Sequence, residues 1–160
     1  MIETNRCFLL KLQADDYEDV KLLYVNGEVR KYLGGPQEEE SIKASFKEVN
    51  KTTADSLNLI AREKKTNNFI GLVSLDAHHD GISTEVSYQL LPTWWGNGYA
   101  SEIVKELINY GFNNLNLTEV IAETQIANKA SCGLLQKLGM SLRNTVERFG
   151  EKQAIYGIEK

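Results

Sequence analysis

The sequence predicts an α+β domain, mixed α/β in three layers, and three observations carry that expectation. Between residues 56 and 91, three apolar or alternating runs follow one another with turn residues between them, the spacing of an antiparallel meander. From Ala100 to Phe112 the period changes, and Ile103, Val104, Leu107 and Ile108 fall on one helical stripe. Strand and helix patterns then alternate, and the chain closes on two strands. At 160 residues it is one domain by the usual prior of roughly 150 residues each. A domain of that size buries about 68–70% of its unfolded surface and needs no disulfide or metal staple.

In order, Arg6 to Leu12 reads as a short strand. Asp15-Asp16 supplies an N-cap, and Tyr17, Val20, Leu22, Leu23 and Val25 form the apolar face of the helix behind it, which Gly27 can end. Val29 to Leu33 reads as a second short helical turn, stopped by Gly34-Gly35-Pro36. Gln37 to Asn50 is a helix with Ile42, Phe46 and Val49 inward, and its acidic start (Glu38, Glu39, Glu40) suits the positive end of the dipole. Ser56 to Arg62, Phe69 to Ala77 and Ile82 to Leu91 are the meander strands, turned at Lys64 to Asn68 and at His78 to Gly81. Leu117 to Thr124 is a strand rich in β-branched residues, and Lys129 to Leu138 is a helix with Gly139 at the place of a C′ glycine. Met140 to Arg148 and Gln153 to Glu159 are strands around Phe149-Gly150-Glu151, making seven in all.

Hydrophobic residues make up 42% of the chain and charged ones 25%, which excludes disordered, collagenous and disulfide-scaffold classes. Eighteen Lys and Arg against 22 Asp and Glu give a net charge of −4, so neither nucleic acid nor an anionic membrane is an expected partner. A local phosphate site is still compatible with that balance. The apolar run Cys7 to Leu10, between Arg6 and Lys11, makes no signal peptide, and no stretch approaches the ~18 apolar residues of a bilayer span. Cys7 and Cys132 lack CxxC spacing and read as reduced thiols of a cytoplasmic protein. Cys132 lies inside a helical pattern with no sequence-visible base and reads as packing. His78-His79 are neighbours on a turn with no third ligand at suitable spacing, so no metal is expected.

The informative segment runs from Tyr88 to Glu102, a strand leading through a loop with two glycines into a helix. Gly96 and Gly98 free the backbone for positive φ and let a bulky anion approach its N–H groups. The helix behind adds unpaired N–H donors and a positive dipole end, so a phosphate or pyrophosphate fits there; an ordinary glycine turn is the alternative. A Rossmann fingerprint would lie in an early βαβ unit with an acidic residue at a strand end about 20 positions on, whereas Glu119 begins a strand. No Lys-[Ser/Thr] pair follows the glycines, so a P-loop is excluded.

Trp95-Gly96-Asn97-Gly98-Tyr99-Ala100 resembles the coenzyme A pyrophosphate motif, [Gln/Arg]-x-x-Gly-x-[Gly/Ala], of the GNAT superfamily of N-acetyltransferases. Asn128-Lys129-Ala130-Ser131 and Leu135-Gln136-Lys137-Leu138-Gly139-Met140 are similar to that family's Asn-x-x-[Ser/Ala] and Glu-Lys-Leu-Gly-Phe stretches. The opening Thr4 to Lys11 and the phrase Trp95 to Glu102 resemble the ribosomal-protein-alanine acetyltransferase (RimJ/RimL-like) branch. The resemblance spans nearly the whole chain. It implies a mostly antiparallel seven-stranded sheet splayed between its fourth and fifth strands, with helices on both faces. Three positions depart from the pattern: Trp95 replaces Gln or Arg, Met140 replaces Phe, and Leu135 stands where many members carry a thiolate-protonating Tyr.

The resemblance further implies acetyl transfer from acetyl-CoA to a primary amine by direct attack in a ternary complex, with proximity supplying much of the rate. Gln89, Leu90, Leu91, Trp95, Gly96, Asn97, Gly98, Tyr99, Ala100, Ser101, Asn128 and Ser131 would bind the cofactor. Within that set, the backbone near Leu90 and Leu91 would face the thioester oxyanion and the amides of Gly96 to Ser101 the pyrophosphate. An ammonium must lose a proton before it attacks, and Glu85 is the candidate base, read otherwise as a solvated strand-face carboxylate. Ser131 would protonate the thiolate, or else bond nearby backbone as a helix-start hydroxyl. Asn128 would contact the pantetheine or serve as a plain N-cap. Trp94, Trp95 and Tyr99 either wall the acceptor cleft or cover the strand–helix junction. The loops Arg30 to Pro36 and Phe149 to Lys152 would flank the acceptor, a small-molecule amine or a protein N-terminus such as that of a ribosomal protein. A homodimer is plausible on family grounds. Two other classes stay open, a non-catalytic acyl-CoA sensor on the same fold and an interaction domain with no cofactor.

Overall fold

A computed structural model describes residues 1–51 and 56–160 of the chain. Its strands are β1 (Ile2–Glu3), β2 (Cys7–Lys11), β3 (Leu57–Glu63), β4 (Phe69–Ala77), β5 (Thr84–Leu90), β6 (Glu119–Gln125), β7 (Ser141–Arg148) and β8 (Glu151–Glu159). The helices are α1 (Tyr17–Tyr24), α2 (Glu39–Val49), α3 (Tyr99–Asn114) and α4 (Lys129–Lys137). The strands form one sheet in the order β1-β2-β3-β4-β5-β6-β8-β7, antiparallel throughout except between β5 and β6. The class is the expected one, with eight strands in place of seven. The added strand, β1, pairs Ile2 with Leu9 and Glu3 with Phe8, and two residues are too few to show an alternation in the sequence.

Alternation along the strands sorts two cores onto two faces. Leu9, Leu59, Val73, Val86, Val120 and Ala154 point to one face, where the α3 stripe Ile103, Val104 and Leu107 and the α4 residue Leu135 cover them. Leu12, Ile60, Phe69 and Leu72 point to the other and meet Val20 and Leu23 of α1 and Ile42 and Phe46 of α2. Only part of the apolar face expected for α1 is inward: Leu22 and Val25 are exposed, because an eight-residue helix offers the sheet little more than two turns. The segment Val29 to Leu33 is a set of turns and not a helix. The Asn26 side chain accepts the Glu28 and Val29 N–H groups, and Arg30 O accepts from both Leu33 and Gly35. The glycine expected to close α4 does so, with Gly139 N–H on Gln136 O and Met140 N–H on Leu135 O, the paired bonds of a Schellman motif.

The feature that prepares a site is the junction of β5 and β6, where a single register pair, Glu85 with Ile121, joins the strands. Beyond it towards Leu90 the sheet opens. β5 stays fixed to β4 over seven pairs, from Ala77–Thr84 to Gly71–Leu90. That attachment is close: a Cβ on Gly71 would run into the Gln89 carbonyl oxygen and stand 2.9 Å from Leu90 Cα. Gly71→Ala is therefore expected to push the end of β5 aside and lower stability by about 1–3 kcal/mol, read as a lower urea midpoint at unchanged slope.

Candidate active site

The loop after β5 is held from several sides, and its amides are left free. Gly96 and Gly98 have φ of +79° and +82°, the left-handed region that glycine enters without steric penalty. Gly98 is the N-cap of α3, no side chain caps it, and the first backbone bond into the helix is Glu102 N–H to Gly98 O at 3.0 Å. Among the described residues the N–H groups from Gly96 to Ser101 have no partner outside the helix's own bonding, so a cluster of donors sits at the positive end of a sixteen-residue helix. Around it, Glu102 accepts from the Thr4 hydroxyl, the Arg6 N–H and Arg6 Nε, which ties the β1–β2 segment to the helix start. Although burial opposes it, these bonds hold the Glu102 carboxyl below its ordinary range. Arg6 stacks on the Tyr99 ring at 3.9 Å, and the Tyr99 hydroxyl donates to Glu63 at 2.7 Å.

Trp94 and Tyr99 meet edge to face at 5.1 Å, and Trp94 Nε1 donates to Phe69 O at 3.0 Å. These two rings cover the strand–helix junction. Trp95 is about half exposed while its Nε1 donates to Leu90 O at 2.9 Å; Asn97 is exposed and reaches only Trp95 O. Ala100 and Ser101 contribute backbone in the first turn of α3.

At the mouth of the opening, Leu90 and Leu91 separate in role. Leu91 N–H donates to Ile70 O at 2.9 Å, so it is already engaged with β4 and is not a free oxyanion donor. Ladder alternation turns the Leu90 N–H the other way, towards the gap beside β6. Gln89 is paired with Leu72 and so points to the α1–α2 face, where its Oε1 is buried with no partner among the described residues. An unpaired buried carbonyl is costly, and an N–H donor from a ligand would satisfy it.

Glu85 lies on that same face, opposite Asp76 in the register. It is mostly buried and no solvated carboxylate: its Oε2 accepts Glu123 N–H at 3.2 Å, and burial raises its pKa above the ordinary value. Glu123, nearly enclosed, accepts from His78 Nε2 at 2.7 Å and from Arg148 at 2.8 and 3.1 Å. Burial works against its charge, yet the Arg148 and His78 bonds hold its carboxyl below the usual range. Asp80 N–H donates to His78 Nδ1, so Nε2 carries the ring proton that Glu123 receives. Gln125 donates to Tyr32 O at 3.0 Å and brings the loop after α1 over β6. His79 meets the exposed Phe149 ring at 5.8 Å, linking the turn after β4 to the β7–β8 hairpin.

The opposite face of the opening carries hydroxyls. Tyr88 alternates with Val86 and Leu90 towards α3 and α4, and its hydroxyl lies 2.6 Å from Ser131 Oγ in the first turn of α4. Ser131 thus reaches across to β5 and not to nearby backbone. Asn128 is the N-cap of α4, its Oδ1 accepting Ser131 N–H at 3.1 Å. Leu135, one helical turn beyond Ser131, is wholly buried in the core and carries no hydroxyl. Cys132 is a free thiol whose Sγ lies 3.8 Å from Gln125 O. A cavity of about 300 Å³ lies elsewhere, between α4 and the β7–β8 hairpin, lined by residues that include Ile126, Lys129, Leu142 and Tyr156. Among the described residues no three His, Cys, Asp or Glu side chains gather as metal ligands, and no helix is long and apolar enough to cross a membrane.

Sequence reasoning singled out Glu85, Ser131 and the glycine loop; it passed over Tyr88, Glu123 and Gln125. A tyrosine between Val86 and Leu90, and a carboxylate directly after the apolar run Val120-Ile121-Ala122, are the available signals.

Comparison with known proteins bears on this geometry. The family profile described as an acetyltransferase (GNAT) domain matches residues 6–141. The uncharacterized N-acetyltransferase YoaA of Bacillus subtilis is 26% identical over 155 residues, covering 93% of this chain and 87% of the relative. The FsC-acetyl coenzyme A-N(2)-transacetylase of Aspergillus fumigatus is 40% identical over 58 residues, 36% of this chain and 25% of that protein. Among solved structures, a GNAT-family acetyltransferase from Bacillus anthracis superposes with a TM-score of 0.85 at 22% identity, covering 99% of this chain and 97% of that one. Spermidine N-acetyltransferase from Vibrio cholerae, in complex with CoA and spermine, superposes with a TM-score of 0.83 at 19% identity, covering 96% and 95%. At those identities the structures are evidence of fold.

Proposed function

We propose that this chain, which belongs to the GNAT acetyltransferase family, moves the acetyl group of acetyl-CoA to a small cationic primary amine by direct attack, the two substrates meeting through the opening between β5 and β6. The observation that carries the reading is the distribution of groups about that opening. Unpaired amides at the start of α3 and the Tyr88–Ser131 hydroxyls accompany one face; Glu85 stands on the other. The residues present fit coenzyme A: a left-handed glycine loop with free N–H donors at a helix start suits a pyrophosphate, and a splayed strand edge suits an extended amide-bearing arm.

In this reading Gly96 to Ser101 hold the pyrophosphate through backbone N–H groups, and Leu90 N–H donates to the thioester oxygen as it becomes an oxyanion. Glu85 takes the proton of the attacking amine from the α1–α2 face. Its raised pKa makes it a better base than an ordinary carboxylate, while Glu123, occupied by Arg148 and His78, anchors it through the Glu123 N–H. Ser131 delivers a proton to the departing sulfur. Asn128 orients the α4 turn that carries it. Support for a cationic acceptor comes from the net charge of −4, from the Glu85 carboxylate, and from a fold neighbour named for spermidine. An alanine-led peptide is the acceptor that the RimJ/RimL-like reading requires. The sensor alternative, motivated by Leu135 in place of a tyrosine, predicts acetyl-CoA binding without turnover, whereas the Tyr88–Ser131 hydroxyl pair offers the enzyme reading another proton source.

Thermal stabilisation by acetyl-CoA, CoA and NAD side by side tests the cofactor. Ligand at 100 times its Kd adds about 2.7 kcal/mol, and the shift is expected with the CoA pair alone. Thiol release with spermidine, benzylamine and an alanine-led peptide then identifies the acceptor class. Binding of acetyl-CoA without release across that panel would replace the enzyme by a sensor, and no shift with acetyl-CoA would overturn the cofactor site.

A further inference from the structure

We infer that Tyr88 is the acid of this active site, working with Ser131 as a two-hydroxyl relay that returns a proton to the coenzyme A thiolate. The inference rests on the acetyl-transfer reading above and adds a residue to it. The two oxygens are 2.6 Å apart, one on the last half of β5 beside the opening and the other in the first turn of α4. When two hydroxyls bond to each other, one proton lies between them and the second is left over. Neither oxygen has another partner among the described residues, and both side chains are partly exposed, so the second O–H is a free donor at the edge of the opening. The helix start does not need Ser131 Oγ, since its cap is the Asn128 Oδ1 bond to Ser131 N–H.

Acidity decides why two hydroxyls are needed. A thiol has a pKa near 8.5 and a phenol near 10, whereas a lone serine is a far weaker acid than either. Giving its proton to a thiolate would leave Ser131 as an alkoxide. With Tyr88 behind it, Ser131 passes one proton to sulfur as it takes another from the phenol, and the charge settles on a phenolate. Burial raises the Tyr88 pKa, which keeps the phenol protonated at neutral pH but makes it a weaker acid than the thiol, so transfer to sulfur is drawn forward by reprotonation of the phenolate from solvent. The step balances. The new N–C bond forms as the C–S bond breaks, the bonding pair leaves on sulfur, and sulfur gains the Ser131 proton. The proton that Glu85 removes from the amine goes to solvent, and solvent restores the Tyr88 phenol.

Tyr88→Phe and Ser131→Ala test the relay on the whole chain. Each is expected to lower kcat by about 10²-fold or more, with acetyl-CoA KM and the melting temperature nearly unchanged, and the double variant is expected to be no slower than either single one. A binding measurement separates acid from scaffold: at alkaline pH the wild type should prefer CoA to desulfo-CoA, and Tyr88→Phe should erase the preference. Unchanged kcat in Tyr88→Phe, or additive losses in the double variant, would overturn the relay. Should Tyr88→Phe fail to fold, Ser131→Ala carries both measurements. Wild-type protein without thiol release from any amine sinks the acetyl-transfer reading itself; an active wild type with an equally active Tyr88→Phe sinks only the role of Tyr88.

Discussion

Gly98→Val is expected to cripple acetyl-CoA binding while the domain remains folded, the largest loss of affinity expected of any single substitution. Gly98 has φ of +82° at the N-cap of α3, where a β-branched residue is strained by about 1–3 kcal/mol. Part of the domain's stability of roughly 5–15 kcal/mol is lost, but not the fold. The branched side chain would start 3.5 Å from Arg6 Nη2 and force the turn that carries the unpaired N–H groups out of its left-handed conformation. Affinity is expected to fall at least about a hundredfold, the loss of two or more charge-assisted hydrogen bonds. Gly81→Val is the control. Its φ is +72° with open space around it, on the turn between β4 and β5, so it carries comparable strain and should leave the acetyl-CoA titration unchanged. Retained affinity in Gly98→Val would place the pyrophosphate elsewhere.

Glu85→Gln separates activity from stability in opposite directions. Loss of a general base is expected to lower kcat by about 10²–10⁴-fold with acetyl-CoA affinity unchanged. Because burial raises the Glu85 pKa, the wild-type rate should fall with acidification at a pH above the ordinary carboxylate range, and that acidic limb should vanish in the variant. The stability sign follows from the same shift. A carboxyl whose folded pKa exceeds its unfolded one stabilises fully below the unfolded value, and that contribution is lost as pH rises through the folded pKa. At neutral pH the buried charge therefore destabilises the wild type. The glutamine carbonyl can still accept Glu123 N–H, so Glu85→Gln should melt no lower than wild type at neutral pH, and higher if that charge is fully formed. Equal kcat across pH would remove Glu85 from the chemistry. A lower melting point at neutral pH would mean that its charge supports the fold.

Local pattern made much of this protein legible. The α3 stripe, the three meander strands, the closing hairpin and the Gly139 stop are encoded within a few residues each, by side-chain period and backbone freedom, and they stand where the sequence puts them. The glycine loop is legible for the same reason, since a strand, two glycines and a helix start are contiguous. Two-residue β1 and the turns from Val29 to Leu33 were not, because so short a segment has no period and its conformation is set by what it pairs with. The candidate site divides on the same line. Ser131 and Glu85 could be named from the resemblance, but their surroundings could not. Tyr88 meets Ser131 across 43 positions, and His78 meets Glu123 across 45.

The sequence by itself determined the class of domain, the order of its longer elements and the glycine turn that leads into α3. Tertiary structure alone decided that Glu85 and Tyr88, three residues apart on one strand, look out from opposite faces into one opening: an odd spacing reverses the side-chain direction, and only the parallel neighbour β6, joined at a single pair, leaves a gap for both to share. It also decided which amides remained free, because Leu91 N–H is used by β4 while those at the start of α3 have no carbonyl a turn behind them.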